Sequence, residues 1–179
     1  MVSLDVIFYM FILLFAVIGS MRGWAKEVLV TFAILLSLFL TIVLETFVPI
    51  IRDNLAPSSA DALFWMRIAI LGALVVFGYQ SPNIPRLAES NRLVKERFQD
   101  LILGFFMGAV NGYLIWGTVW YYLNQSNYPL GIIIPPVPGT EIGKVTEMMM
   151  PYMPPAWLGH PIIYFAVAIA FIFVLVVLI

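Results

Sequence analysis

Three ionisable side chains stand inside or at the edge of long apolar runs: Asp5, Glu45 and Arg67. Charge is expensive in hydrocarbon, so each such residue is a candidate functional site with a partner to be found. Arg67 is able to pair with Asp5 or with Glu45 and lower the cost of both charges. The plainer alternative is a packing clamp, or a long side chain that snorkels to the interface. All three lie near the ends of their runs, which favours the plainer alternative. A proton or ion path needs a deeper ionisable group, and the most central polar side chain, Asn111, does not titrate. His160, the one histidine, sits between Gly159 and Pro161. It is a conceivable ligand for a pigment or haem iron, although a lone interfacial histidine is more often a polar loop residue. HExxH, GxSxG, Walker and GxGxxG patterns are absent from the sequence. There is no cysteine, which excludes disulfides, thiolate metal sites and cysteine nucleophiles. The residues therefore predict a protein that is not an enzyme and has no cofactor site.

Asn111 belongs to residues 101–123, LILGFFMGAVNGYLIWGTVWYYL, a charge-free stretch about as long as a membrane-spanning helix. Gly104, Gly108 and Gly112 recur every fourth residue, so a helix carries them on one stripe where a second backbone can approach closely. Gly104, Gly108, Asn111 and Gly112 are thus expected to be helix-packing residues. Gly72 and Gly78 are candidate counterparts. Glycine is common in membrane helices, so part of this pattern arises without any packing role.

These residues need elements to hold them, and composition says what kind. The chain has 179 residues, 63% hydrophobic and 11% charged, against about 25% charged in soluble domains. Such a chain needs lipid as its solvent. A net charge of −1 gives no basic surface for nucleic acid. Apolar runs cover residues 4–18, 28–51, 62–79, 101–123 and 161–179. Five spanning helices in an all-α polytopic membrane protein are expected. Residues 1–123 form a four-helix core, 124–160 a Pro- and Met-rich extracytoplasmic loop, and 161–179 a C-terminal transmembrane helix. Asp5 precedes the first run without any Lys or Arg, and no small-residue cleavage site follows, so the first helix is expected to be retained.

Arg22, Lys26, Arg86, Arg92, Lys95 and Arg97 fall in two loops on one side, leaving Arg52, Lys144 and the nearby Arg67 on the other. That bias predicts an outside N-terminus and a cytoplasmic C-terminus. Leu87, Val94, Phe98 and Leu101 recur at helical spacing among Arg86, Arg92, Lys95 and Arg97. This predicts an interfacial amphipathic helix running into span four. Pro135, Pro136, Pro154 and Pro155 disfavour long helices in the outer loop. Met148 to Met150, Tyr152, Met153 and Trp157 give it an apolar surface for the membrane or a partner.

Two stretches carry a family resemblance. The first is Gly19-Ser20-Met21-Arg22-Gly23-Trp24-Ala25-Lys26-Glu27, with Asp5 upstream. The second runs from Asp100 through Gly104 and Gly108 to Gly112. Together they resemble the colicin V production protein (CvpA) family of bacterial inner-membrane proteins, over roughly residues 1–123. Asp5, Gly19, Arg22, Gly23, Lys26, Glu27, Asp100, Gly104, Gly108 and Gly112 match its pattern. Asn111 stands where members often have Arg, and many members have four spans. The resemblance implies a bacterial plasma-membrane protein linked to toxin export and envelope function. Arg22 and Lys26 are expected to hold the turn at the anionic inner leaflet.

Three readings follow. The first is a membrane protein acting through helix–helix association, as a homo-oligomer or with other membrane proteins in the lipid bilayer. The second is an accessory structural subunit of a respiratory or photosynthetic complex. The third is a small channel or transporter lined by span four.

Overall fold

The structure, a computed structural model, describes residues 3–55, 59–80, 94–131 and 133–178. Regular structure among them is entirely helical. Four helices are long and apolar enough to cross a membrane: α1 (Leu4–Arg22), α2 (Trp24–Phe47), α3 (Ala60–Tyr79) and α4 (Val94–Gln125). Three shorter ones follow, α5 (Glu141–Met149), α6 (Pro154–Trp157) and α7 (Ile162–Leu178). The expected fifth span is α7. Its described residues run from Ile162 to Leu178 and are apolar throughout.

Local chemistry sets the boundaries. Gly23 adopts φ 85°, a left-handed conformation that glycine enters without penalty, and the chain reverses there between α1 and α2. Val48 is extended because Pro49 follows it, and α2 stops at Phe47. The Ser59 hydroxyl caps α3 by accepting from the Ala62 N–H at 3.2 Å, and Thr140 caps α5 through the Gly143 N–H at 3.1 Å.

Over its described part, the helix expected in the inner interface runs without a break into span four. Residues 94–100 are the first turns of the single 32-residue helix α4. Arg86, Leu87 and Arg92 lie outside the described residues, as does the side chain of Lys95. Phe98 and Leu101 are exposed, and so is Arg97.

α4 is the axis of the bundle. α1 packs along it antiparallel over most of its length, and α2 lies beside it in parallel. α2 in turn carries α3 and α7. The core runs from Phe8 through Val30, Ile34 and Leu38 to Phe64, Leu71, Leu114, Trp120, Met153 and Ile163. The outward faces of α1 and α7 are apolar, with Tyr9, Met10, Leu13, Phe165, Ile169 and Ile172 exposed. Those faces suit lipid.

The proline-rich segment does not stay beyond the helix ends. Phe39 stacks edge-on with Tyr164 near the start of α7, while α2 continues to Phe47, about 12 Å further along. Pro154 and Met153 sit against Gly117, and the Tyr113 hydroxyl meets the Tyr152 carbonyl and accepts from Trp157 Nε1 at 2.9 Å. Tyr113 and Gly117 precede the end of α4 by about 18 and 12 Å. The chain therefore dips back along α4 before α7 starts. Irregular backbone at such depth is tolerable where protein covers it or where it lines a cavity.

Candidate functional site

At the Gly23 end, the predicted packing residues meet the predicted turn residues. The glycine stripe of α4 faces α1, not α3. A Cβ on Gly19 would come within 2.7 Å of the Gly108 Cα, and one on Gly112 within 3.0 Å of the Ile12 Cα. Gly104 lies against the Gly19 and Gly23 backbone, and Gly108 against Phe15 and Gly19. The two helices thus touch backbone to backbone, a contact no larger residue allows. Gly78 packs on Ala33 and Val30 of α2, and Gly72 has open space around it. The expected counterparts in α3 are replaced by Gly19, because α1 is the helix that α4 meets.

Gly23 has no side chain to cap α2, and α4 supplies one. The Asp100 carboxylate accepts from the Trp24 N–H at 3.3 Å and lies where a Gly23 Cβ would fall. A carboxylate at a helix N-terminus is stabilised by the free N–H groups there. The turn and the head of the glycine stripe are one piece.

Behind that junction lies a closed polar cluster. Glu27 is fully buried in the first turn of α2. Arg22 Nη1 donates to its Oε1 at 2.6 Å, and Asn111 Nδ2 donates to its Oε2 at 2.8 Å. The Thr31 hydroxyl donates to Asn111 Oδ1 at 2.6 Å. Arg22 also donates to the Tyr79 carbonyl at 3.1 Å, with its guanidinium 4.3 Å from the Tyr79 ring centre. Four helices share this network, and each Glu27 oxygen has a donor. Arg22 and Glu27 both turn inward, and Lys26 is left half-exposed at the turn. Thr31 was invisible as a site residue, although it stands four positions after Glu27 on the same helical face. Compared with known families, curated proteins and solved structures, the chain has no match.

The opposite end holds the second cluster. Arg67 Nε and Nη2 donate to the two Glu45 oxygens at 2.6 and 2.9 Å, and Nη1 donates to Gln125 Oε1 at 2.7 Å. Its guanidinium lies 4.9 Å from the Tyr122 ring centre. Asp5 does not join this pair. It occupies the first turn of α1, whose free N–H groups favour a carboxylate, and it makes no ion pair among the described residues. His160 bonds Tyr164 Oη through Nε2 at 2.9 Å. A half-enclosed cavity of about 190 Å³ opens between Glu45, Arg67, Tyr121, Gln125 and His160, with Leu38, Ile42 and Leu158 as its apolar wall. No group of His, Asp and Glu able to hold a metal ion occurs among the described residues. Beyond the end of α2, Arg52 chelates Asp53, and its hydrogen bonds hold that carboxyl below the ordinary carboxylate range.

Proposed function

We propose that this chain is a multi-pass protein of the bacterial plasma membrane, of the colicin V production type, which supports export or envelope function by associating with other membrane proteins. It carries out no chemistry of its own. One observation supports the reading above the others. Gly19, Arg22, Gly23 and Glu27, from the first resembling stretch, meet Asp100, Gly104, Gly108 and Gly112 from the second in a single junction. Residues some 80 positions apart that converge on one packed junction read as a scaffold. The glycine stripe is filled by α1, so partners meet the lipid-facing surfaces instead of the stripe. On this reading α7 is a fifth span, the Gly23 end faces the cytoplasm and the N-terminus lies outside.

Purification of the whole chain in mild detergent, with identification of co-purifying chains, tests the proposal. Export or envelope membrane proteins are the expected partners. A stoichiometric respiratory or photosynthetic assembly would replace it with the accessory-subunit reading, which the exposed Met148, Tyr152 and Trp157 favour. Selective flux through liposomes holding the chain alone would replace it with the channel reading.

A further inference from the structure

We infer that the cavity beside Arg67 and Glu45 is a binding site for a zwitterionic head group, one phosphate and one ammonium, of the kind a phosphatidylethanolamine lipid presents. Three properties of the cavity lead there. The first is its unclaimed hydrogen-bonding capacity. A guanidinium has five N–H donors. Among the described residues Glu45 takes two from Arg67 and Gln125 takes one, so two remain. The Tyr121 hydroxyl accepts from Gln125 Nε2 at 3.1 Å and keeps its own proton to donate. These spare donors suit phosphate oxygens, which guanidinium binds well. The second is charge. Arg67 and Glu45 cancel, so a net anion gains little from the site. A head group that is neutral overall sets its phosphate on the free edge of Arg67 and its ammonium on the outer lone pairs of Glu45. The third is shape and place. The volume of about 190 Å³ is below the roughly 300–1,000 Å³ of pockets for drug-sized ligands and suits a compact group. Its polar wall lies at the ends of α2 and α4, where head groups sit, and Leu38, Ile42 and Leu158 continue it as a greasy wall for the glycerol and first methylenes. The dipping segment 154–160 closes the remaining side with Pro155, Gly159 and His160.

The test uses the full chain in mild detergent and counts bound lipid by native mass spectrometry. The probes are phosphatidylethanolamine and phosphatidylglycerol. Wild type is expected to retain the zwitterionic lipid about tenfold better than the anionic one. Glu45→Gln leaves Arg67 uncompensated and is expected to reverse that preference, which loss of packing alone would not do. Equal retention of the two lipids by wild type, or an unchanged preference in Glu45→Gln, overturns the site. Should Glu45→Gln not give monodisperse protein, Tyr121→Phe removes one donor and is expected to weaken retention about fivefold. Unchanged retention there also overturns the site. Adding free phosphoethanolamine separates the sources. Displacement of the lipid assigns the site to the head group alone, and persistence assigns it to the lipid, each upholding the zwitterion.

Discussion

At the scale of single residues, the cost of a buried charge decides what matters. Glu27 is fully buried and survives there because Arg22 and Asn111 each satisfy one of its oxygens. Removing one partner of such a pair leaves an uncompensated charge, a loss of about 3–5 kcal/mol, whereas replacing both by apolar side chains is often close to neutral. Arg22→Met is therefore expected to lower stability in detergent by about 3 kcal/mol, and the Arg22→Met/Glu27→Met double variant to recover most of that. Equilibrium unfolding of the four members of that cycle measures it, and simple additivity would refute a coupled pair. Asn111→Leu takes the donor from Glu27 Oε2, while Thr31 keeps its bond to the Glu27 carbonyl, and is expected to lose about 2 kcal/mol. Thr31→Val, which removes only the outermost hydroxyl, is expected to lose about 0.6 kcal/mol, the usual worth of one hydrogen bond between membrane helices. Equal losses would show that the network is not centred on Glu27. Glu27 and Asn111 were each visible in the sequence, but as members of different places. A turn residue is judged exposed by its sequence neighbours, and here the turn is tight enough to put Glu27 inside a four-helix contact.

At the scale of elements, the glycine stripe was legible and its partner was not. A period of four fixes which face of α4 is open to close approach, and nothing in one sequence says which helix fills it. α1 carries a single glycine in its last turns, Gly19, so its role had no pattern to announce it. A paired substitution tests the assignment. Gly108→Ala sets a methyl group against the Phe15 and Gly19 backbone and is expected to cost about 1–3 kcal/mol, as overpacking does. Gly72→Ala points into open space and is expected to be neutral or to gain about 0.5–1 kcal/mol through helix propensity. Thermal unfolding in detergent reads both, and equal effects would show that α1 and α4 are not in backbone contact. α7 was legible as an apolar run, but the level at which it starts was not. Proline density says where helices stop, and only the Pro154–Gly117 and Tyr113–Trp157 contacts say that the chain descends beside α4 first.

At the scale of the whole molecule, the two polar clusters sit at opposite ends and differ in kind. At the Gly23 end Glu27 is fully buried and each of its oxygens has a donor. The other end is open, with spare donors on a cavity wall. A rigid end and a receptive end in one bundle make orientation the property that decides which compartment each serves. Arg22, Lys26 and Arg97 belong to the Gly23 end, and Arg52, Arg67 and Lys144 to the other, where Arg67 is tied to Glu45 and Arg52 to Asp53. Orientation is set by Lys and Arg in the short loops, with Asp and Glu contributing little. The loop charges of the sequence, Arg86, Arg92 and Lys95 among them, predict a cytoplasmic side between spans three and four, so the Gly23 end is expected in the cytoplasm. The chain has no cysteine, so single cysteines report cleanly. Gln99 lies in the first turns of α4 and Glu141 in the connection that follows α4, both are exposed and neither is basic, so Gln99→Cys and Glu141→Cys leave the orienting charge unchanged. A membrane-impermeant maleimide applied to intact cells is expected to modify the cysteine at 141 and to spare the one at 99 until the membrane is permeabilised. The reverse pattern would place the cavity in the cytoplasmic leaflet. The lipid preference of the Arg67–Glu45 site would then be read against the lipids of that leaflet, and the rigid junction would face the periplasm.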